Sequence, residues 1–331
     1  ARRNWKGRRG QWPDQQGLCM RIEENTRLVT VFGGSGFVGR HVVRALANRG
    51  YRVLVAVRRP DLAFHLQPIG NVGQIRAIQA NLRYRWTIDR AVQNSHAVVN
   101  LVGILKEVGK QKFASVQAFG SRAVAEAARE VGARLIHVSA IGADAGSPSV
   151  YAQTKAEAEK AVLENVPDAV IYRPSIIFGP EDDFFNRFAS MARFSPFLPL
   201  IGGGNTRFQP VFVGDVAEAV ARAVDGDVRG GNIHELGGPD VMSFRECLET
   251  VCRETDRRRV LLPVPWFVAR ALGRFTGWMP GAPITLDQVR LLQNDNVVSD
   301  EARSAGRTLE GLGVKPRSVN SVVPSYLVRY R

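Results

Sequence analysis

Apolar residues recur along the chain in short β-branched runs separated by segments with a helical period. The runs are LVTVF, RVLVAV, QIRAIQ, HAVVNLV, RLIHVS and AVIYRPS, at residues 28–32, 52–57, 74–79, 96–102, 134–139 and 169–175. Each run is nearly continuous in apolar residues, as is typical of strands that are buried on both faces. Their alternation with helical segments predicts βαβ units and a parallel sheet covered by helices on both sides.

The regular alternation ends after residue 175, where aromatic residues, proline and glycine become frequent. Residues 214–224 have a helical period and residues 232–238 resemble a strand. We expect both to return to the main sheet, and residues 243–331 to be mainly helical. The two parts of the chain should therefore interleave.

Composition limits the kind of protein. The chain has 331 residues, of which 45% are hydrophobic, so it can bury a core for one large α/β domain and a smaller lobe. Its longest apolar runs, such as 96–105, are well short of the roughly 20 residues that a membrane-spanning helix needs. The N-terminal residues lack the apolar core of a signal peptide. We expect no transmembrane segment and a cytoplasmic location.

The net charge of +14 suits an anionic partner, but its distribution argues against nucleic acid. No stripe of lysine and arginine with interleaved aromatic residues occurs between residues 28 and 331. Residues 1–19 hold five basic residues and one aspartate without periodicity, and we expect them to be disordered. Because Met20 precedes the first strand closely, whether residues 1–19 are native stays open.

The cysteines give no sign of a disulfide framework or a metal centre. Cys19, Cys247 and Cys252 form no C-x-x-C pair and do not group with the five histidines. We expect a reducing compartment and no metal.

Three glycines stand at intervals of three where the first strand meets the first helix, which is predicted over 37–49. Such glycines allow a tight turn, a close approach of backbone N–H groups to a pyrophosphate, and close packing of helix on strand. The helix N-terminus adds its positive dipole end. The predicted phosphate-binding residues are Gly33, Ser35, Gly36, Phe37, Val38 and Gly39. The predicted fold is therefore α/β, a doubly wound parallel Rossmann-type sheet with a smaller, mainly helical C-terminal lobe.

The division predicted from these patterns has three parts. Residues 1–27 form a basic N-terminal extension, residues 28–240 form the NAD(P)-binding domain with inserted lobe segments, and residues 241–331 form the smaller lobe.

A second motif is Tyr151-Ala-Gln-Thr-Lys155, directly after the fifth run. On a helix its tyrosine and lysine share one face. A nearby ammonium stabilises tyrosinate, so we expect a lowered pKa for Tyr151 and proton exchange with a substrate hydroxyl or carbonyl. Together with the G-x-x-G-x-x-G spacing, this motif resembles the short-chain dehydrogenase/reductase superfamily, in particular its extended and atypical members.

The end of the second run bears on the cofactor. A domain selective for NAD usually has an acidic residue there, but this chain has Arg58 and Arg59, which suit the 2′-phosphate of NADP(H). Asp61 keeps NAD(H) open as the alternative. We expect NADP(H) to be preferred.

The resemblance implies further contacts. Asn81 and Leu82 would line the adenine, and Leu101, Val102 and Gly103 would pass along the cofactor. Pro174, Ser175 and Ile176 would lie near the nicotinamide, and Lys155 would hold its ribose.

The resemblance implies a catalytic serine or threonine after the fifth strand, and here Ser139 stands one position early, which would put Ala140 in its place. Ser147 and Ser149 are the alternative donors. Loss of such a donor lowers rates on the order of a hundredfold or more. The predicted catalytic residues are thus Tyr151, Lys155 and Ser139. The displaced serine puts catalysis in doubt, but it does not affect the prediction that a cofactor binds.

Residues 28–331 also resemble one atypical branch, the nucleotide-binding accessory subunits of respiratory complex I (NADH:ubiquinone oxidoreductase) and their bacterial relatives. The segments that carry this likeness are VTVFGGSGFVGRHVV, HVSAIGADAGSPSVYAQTKAEAEKAV, RPSIIFGPEDDFFNRFASMARF, QPVFVGDVAEAV and DNVVSD. The resemblance implies a tightly held dinucleotide with a largely structural role, partners within that complex, and a peripheral place on the inner face of the energy-conserving membrane. The alternative is a soluble NADP(H)-dependent reductase, epimerase or dehydratase acting on a small or lipid-like substrate.

One segment bears on partners. Residues 262–280 interleave Trp266, Phe267, Val268, Leu272, Phe275 and Trp278 with Arg270 and Arg274. This amphipathic pattern fits a lipid headgroup layer or a partner helix, and it fits ordinary core packing better.

Overall fold

The computed structural model describes residues 27–276 and 285–331. A parallel sheet forms the centre of this part of the chain. Its seven strands are β1 (Leu28–Phe32), β2 (Arg52–Val57), β3 (Ile75–Gln79), β4 (Ala97–Asn100), β5 (Arg134–Val138), β6 (Val170–Pro174) and β11 (Asn232–Leu236). They follow the order β11-β6-β5-β4-β1-β2-β3 across the sheet.

Helices cover both faces of this sheet, and each face has its own core. On one side lie α1 (Phe37–Asn48) and α6 (Val213–Asp225), which pack on each other through residues such as Val43 and Val220. On the other side lie α2 (Arg85–Val92), α3 (Phe119–Glu130) and α4 (Val150–Asn165). The strands are buried from both sides, which is why their sequences are nearly continuous in apolar residues.

The chain changes direction in the sheet between β1 and β4. The connections from β1 lead to β2 and β3, and the chain then crosses to β4 on the other side of β1. Ligands of such sheets bind at the carboxyl ends of the strands beside this switch point. The fold therefore places a binding crevice directly over the glycine turn.

Most of the remaining helices and short strands build a smaller lobe around two aromatic-rich clusters, and α10 (Asp300–Ser304) packs its Ala302 in a separate small cluster with Ile141. These helices are α5 (Phe184–Phe194), α7 (Phe244–Glu254), α8 (Trp266–Thr276), α9 (Leu286–Leu291), α10 and α11 (Val319–Leu327). Three pairs of short strands join them: β7 (Ile177–Phe178) with β10 (Val211–Phe212), β9 (Arg207–Phe208) with β12 (Met242–Ser243), and β8 (Phe197–Ile201) with β13 (Val260–Val264).

The fold class predicted from the sequence is confirmed. Strands β1 and β2 have the predicted bounds, and the other sheet strands differ from prediction by at most two residues at an end. Sequence periodicity missed the 3-10 run Pro60–Ile69 and the three small sheets, because such short elements depend on distant partners. The predicted division at residues 27 and 240 stays a prediction.

Several expectations concern residues outside the described ranges, namely residues 1–26, Cys19 among them, and Trp278. Within the described ranges, no helix is both long and apolar enough to cross a membrane. In the same residues, no group of three or more His, Cys, Asp or Glu is arranged to hold a metal ion. Cys247 is buried and Cys252 is half-buried, and both are free thiols.

Candidate dinucleotide site

The glycine turn after β1 is built from its own backbone. Gly33 has a φ of +79°, a left-handed conformation that favours glycine. Its N–H donates to the Ala56 carbonyl oxygen at 3.1 Å, and its own carbonyl accepts from the Gly36 N–H at 3.0 Å. These bonds fix the point at which the chain leaves the sheet.

Gly39 allows α1 to pack directly against this turn. A Cβ atom at position 39 would lie 2.3 Å from the Gly33 carbonyl oxygen and 2.6 Å from the Gly34 Cα. Both contacts are with backbone, which cannot swing aside. The third glycine of the motif is therefore required for close packing of helix and turn.

Gly36 faces the crevice. A Cβ atom there would meet only the Gly33 carbonyl oxygen, at 3.3 Å, and otherwise open space. Gly36 is also the N-cap of α1, where no side chain accepts from the first N–H groups and no acidic residue stands in the first turn. Ser35, Phe37 and Val38 flank this uncapped helix end. Free backbone donors and a positive helix dipole suit a pyrophosphate, so the residues present fit a dinucleotide.

The two arginines after β2 differ in their surroundings. Both are exposed, but Arg59 pairs with Asp61 at 2.7 Å, which leaves its guanidinium partly neutralised. Asp61 in turn has a lowered pKa because Arg59 donates to it. Within the described residues, Arg58 has no ion pair. Of the two guanidinium groups, that of Arg58 is therefore the one free of an acidic partner in the described residues, and the Asp61 carboxylate is already engaged by Arg59.

The end of β4 lies beside the glycine turn, whereas the end of β3 lies at the edge of the sheet, beyond β2. A Cβ atom on Gly33 would come within 3.3 Å of the Val102 Cγ2 and 3.5 Å of the Leu101 carbonyl carbon, so this segment runs along the turn as expected. The Asn81 Oδ1 accepts from the Arg83 N–H at 3.2 Å, which uses it within its own turn. Leu82 is buried and packs against Gly120 of α3.

Lys155 lies in the interior of the crevice on α4. It is 4% exposed, and its Nζ donates to the Val138 carbonyl oxygen at 3.2 Å. A Cβ on Gly103 would lie 3.4 Å from this Nζ, so the loop after β4 passes directly beside the ammonium. Burial lowers the pKa of Lys155 to about 8, against the smaller raising effect of the Glu159 carboxylate. An ammonium with spare donors at this position suits a cofactor ribose.

Tyr151 stands one turn before Lys155, half-buried, with its ring edge-on to Phe113 at 5.9 Å between centroids. The expected lowering of its pKa is wrong for the protein without ligand. Burial raises the pKa of Tyr151 to about 12, and the negative charge of Asp287 adds to the increase. Desolvation is the larger of the two effects, because burial disfavours the charged phenolate.

Asp287 was not anticipated from the sequence. It belongs to α9 in the smaller lobe, yet it accepts from the Ser149 Oγ at 2.8 Å, the Val150 N–H at 2.9 Å and the Tyr151 N–H at 3.2 Å. It thus caps the N-terminus of the helix that carries Tyr151 and Lys155. A negatively charged side chain is stabilised at the N-terminus of a helix by the helix dipole. The sequence around position 287, however, does not indicate which helix Asp287 contacts.

Ser139 follows β5 in the interior. It is buried, and its Oγ is without a hydrogen-bond partner among the described residues. Two positions earlier, His137 is also buried; its Nδ1 lies 3.3 Å from the Asn100 Nδ2, and its Nε2 is likewise unpartnered. Burial, with a smaller effect of the Lys155 charge, lowers the pKa of His137 to about 3. This histidine is therefore neutral at physiological pH.

A π-helical turn, Ala114–Ala118, follows β4 along the chain and contacts α4, the helix that carries Tyr151 and Lys155. Its Gln117 donates to the Ile104 carbonyl oxygen at 2.8 Å and accepts from the Thr154 Oγ1 at 2.9 Å. Such turns are frequent at functional sites. Gln117 holds the loop after β4 against α4, a role that no sequence motif indicated.

The three residues at the end of β6 connect the crevice to the smaller lobe. Pro174 is buried, and Ile176 packs against the lobe cluster that contains Leu198. The Ser175 Oγ donates to Asn296, whose main-chain oxygen lies at 2.8 Å and whose Oδ1 lies at 2.7 Å. Their contact with a nicotinamide stays a prediction.

Comparisons with known proteins agree with this geometry. The model of the NAD dependent epimerase/dehydratase family matches residues 29–237, from β1 to the end of β11. The chain belongs to this family. It is 36% identical over 320 residues to the Arabidopsis thaliana mitochondrial protein named NADH dehydrogenase (ubiquinone) 1 alpha subcomplex subunit 9, a match that covers 92% of this chain and 78% of the relative.

A second relative has a different name. The ceramide reductase of Caulobacter vibrioides is 35% identical over 190 residues, which are 57% of this chain and 58% of the relative. Among solved structures, the Escherichia coli NADPH-dependent quinone oxidoreductase in complex with NADPH has a TM-score of 0.71 at 19% identity, over 90% of this chain and 99% of that one. This structural likeness confirms the fold of this epimerase/dehydratase-family chain and leaves the choice between NAD and NADP open.

Proposed function

We propose that this chain is a dinucleotide-binding accessory subunit of a respiratory NADH:quinone oxidoreductase, in which NADP(H) is held mainly for structure. The carrying observation is the contrast within one crevice. The glycine turn is complete and open to a pyrophosphate, whereas Tyr151 is held protonated and the Ser139 hydroxyl has no partner among the described residues. The name of the Arabidopsis relative supports the assignment to a respiratory complex.

Each group has a defined place in this proposal. The N–H groups at the start of α1 hold the pyrophosphate, Arg58 the 2′-phosphate, and Lys155 and Tyr151 the nicotinamide ribose. A ligand that binds only the folded chain stabilises it by mass action. The dinucleotide would thus connect β1, β4 and α4 at the edge where the smaller lobe contacts them. The chain itself would lie at a peripheral position on the inner face of the membrane.

The test is complementation of a deletion strain with either Tyr151→Phe or Gly36→Val, followed by membrane NADH:quinone activity. Rescue by Tyr151→Phe and failure of Gly36→Val support a structural dinucleotide. Normal NADH:quinone activity in the deletion strain would contradict the proposal. Gly146→Ala is a suitable control, because a Cβ there meets nothing closer than 3.6 Å.

Preference for NADP(H) rests on the exposed arginines after β2. Arg58→Ala should weaken NADP(H) binding by about tenfold or more, the range of one charge-assisted contact, and leave NAD(H) nearly unchanged. Arg59→Ala is the matched variant and should have a smaller effect, since Asp61 already engages that guanidinium. Calorimetry with both dinucleotides measures this, and equal losses for the two would refute the preference.

A second candidate is an NADP(H)-dependent reductase of a lipid-like carbonyl compound. Its support is the ceramide reductase relative together with the placement of Tyr151 and Lys155 on one face of α4. Purified protein that oxidises NADPH with a long-chain ketone, and loses this activity in Tyr151→Phe, would establish it. Mass spectrometry of the dinucleotide that copurifies, and of its redox state, separates the two candidates.

A further inference from the structure

The small sheet of β8 and β13 has two apolar faces, and only one of them is covered by the described residues. Its inner side chains, Leu198 and Leu200, are fully buried in the lobe cluster with Phe244. The parallel register sets Val260 opposite Phe197 and Leu262 opposite Pro199, all on the other side. Of these, Phe197, Val260 and Leu262 are between 50% and 59% exposed. We call these four residues the outer face.

Further exposed apolar residues lie close to the outer face in the sequence. Phe194, the last residue of α5, stands three residues before Phe197 and is 82% exposed. Helix α8 begins just after β13, packs its Ala269 inward, and leaves Phe267 and Phe275 exposed. The core-packing interpretation of this segment is therefore wrong for Phe267 and Phe275, while Trp266 packs over Gly202. Exposed apolar side chains thus recur at the end of α5, on the outer face and on α8, and exposed apolar patches mark interaction sites.

The surroundings of this surface are strongly basic. A groove at the start of β13 is lined by five arginines, Arg245 and Arg258 among them, against two carboxylates, and Val260 and Leu261 also line it. Neither Arg245 nor Arg258 has an ion pair in the part of the chain that the structure describes. Arg270 and Arg274 are exposed on α8 between its two phenylalanines. Apolar side chains interleaved with arginine are the pattern of interfacial membrane binding.

The charge of this surface distinguishes between two possible partners, a second copy of the chain and an anionic membrane. A second copy of this chain would bring another +14 and an identical arginine groove to the contact, so self-association would place like charges together. The surface of a bilayer containing anionic phospholipids supplies negative phosphates beside an apolar layer, and therefore complements both the arginines and the outer face.

We propose that the outer face, the arginine groove and the exposed side of α8 dock this chain on an anionic phospholipid bilayer. The apolar side chains enter the boundary between headgroups and acyl chains, and the arginines contact lipid phosphates. This proposal deepens the peripheral location given under the proposed function and rests on it for its biological setting. It is tested without any respiratory complex, so its failure and the failure of that function are distinguishable.

The experiment is flotation of the purified chain with vesicles of phosphatidylcholine alone or mixed with phosphatidylglycerol. We expect binding only to the mixed vesicles, decreasing as salt is raised. Arg245→Glu with Arg258→Glu should weaken it at least about 25-fold, since each arginine near an anionic surface contributes about fivefold. Val260→Asp with Leu262→Asp should weaken it at least about tenfold.

Matched controls lie elsewhere on the surface. Trp86→Asp removes an aromatic side chain that is 64% exposed on α2, and Arg229→Glu reverses an exposed arginine remote in sequence from the groove. Both should leave vesicle binding unchanged, and all variants should keep wild-type dinucleotide affinity as a check of folding. Equal binding to both kinds of vesicle, equal losses in test and control variants, or no binding at all would overturn the proposal. Sedimentation showing a dimer that Val260→Asp dissociates would also overturn it and assign the face to a second copy.

Discussion

The two ends of the dinucleotide crevice are built in different ways. The phosphate end consists of one turn, residues 33–39, whose bonds and clearances lie within the turn, with the start of α1 and with the adjacent ends of β2 and β4. The nicotinamide end is assembled from β5, α4, a π-helical turn and a cap donated by α9 of the smaller lobe. The first is a mainly local structure, whereas the second depends on contacts between residues 17 to 137 positions apart.

This difference has a chemical consequence. Backbone donors at the phosphate end are not capped by a side chain and are ready for a ligand. At the nicotinamide end, burial and the Asp287 charge oppose ionisation of Tyr151 by raising its pKa, and burial opposes the charge on Lys155 by lowering its pKa. The crevice is therefore better prepared to bind a dinucleotide than to transfer a proton.

The largest expected effect is a loss of stability at the phosphate end of the crevice. Gly39→Ala should lower the free energy of unfolding by about 3 kcal/mol, because its Cβ would overlap the backbone of Gly33 and Gly34. Gly36→Ala is the matched variant and should keep the fold while weakening dinucleotide binding. Urea denaturation and calorimetry separate the two effects. If both variants lost the same stability, the two glycines would not have the distinct roles described above.

The next effect is a pH dependence at the assembled end. The pKa of Lys155 is about 8 in the folded chain against the ordinary lysine value of 10.5, so the unfolded chain binds more protons between these values. Stability from this group is therefore lowest below pH 8 and rises as pH increases to 10.5, by at most about 3 kcal/mol. The measurement is the difference in unfolding free energy between the wild type and Lys155→Met across that range. A difference independent of pH would show that Lys155 is not desolvated.

A smaller effect is expected at the cap between the lobes. Asp287→Asn should lower stability by about 1–2 kcal/mol, the range for loss of a helix N-cap, and should lower the pKa of Tyr151. Ultraviolet titration of tyrosinate against a Tyr151→Phe background reports that pKa. Asp300→Asn, at an exposed aspartate in the first turn of α10, serves as the control. An unchanged Tyr151 titration in Asp287→Asn would remove the electrostatic link between the lobes.

The smallest effect concerns Ser139. Ser139→Ala should leave dinucleotide affinity unchanged and alter stability by less than about 1 kcal/mol, because the hydroxyl it removes makes no hydrogen bond to the described residues. Ser149→Ala offers the contrast, since that hydroxyl accepts from the Ala152 N–H and donates to Asp287. A large loss of affinity in Ser139→Ala would give Ser139 a role at the nicotinamide that the free site does not show.

The sequence by itself determined the parts of this protein that are local. β-branched runs predicted the sheet strands to within two residues at each end, because buried parallel strands need continuous apolar sequence. The glycine spacing predicted the turn, because no side chain fits its left-handed and close-packed positions. The spacing of Tyr151 and Lys155 predicted a shared helix face.

Only the tertiary structure decided how these parts act together. Asp287 reaches α4 across 136 positions or more, and the pKa of Tyr151 rises because of burial and the charge of Asp287. The outer face forms because β8 and β13, which are far apart in the sequence, pair with each other. It stays exposed because nothing in the described residues covers it. Burial and charge depend on which distant residues meet, and periodicity along a chain carries no record of those contacts.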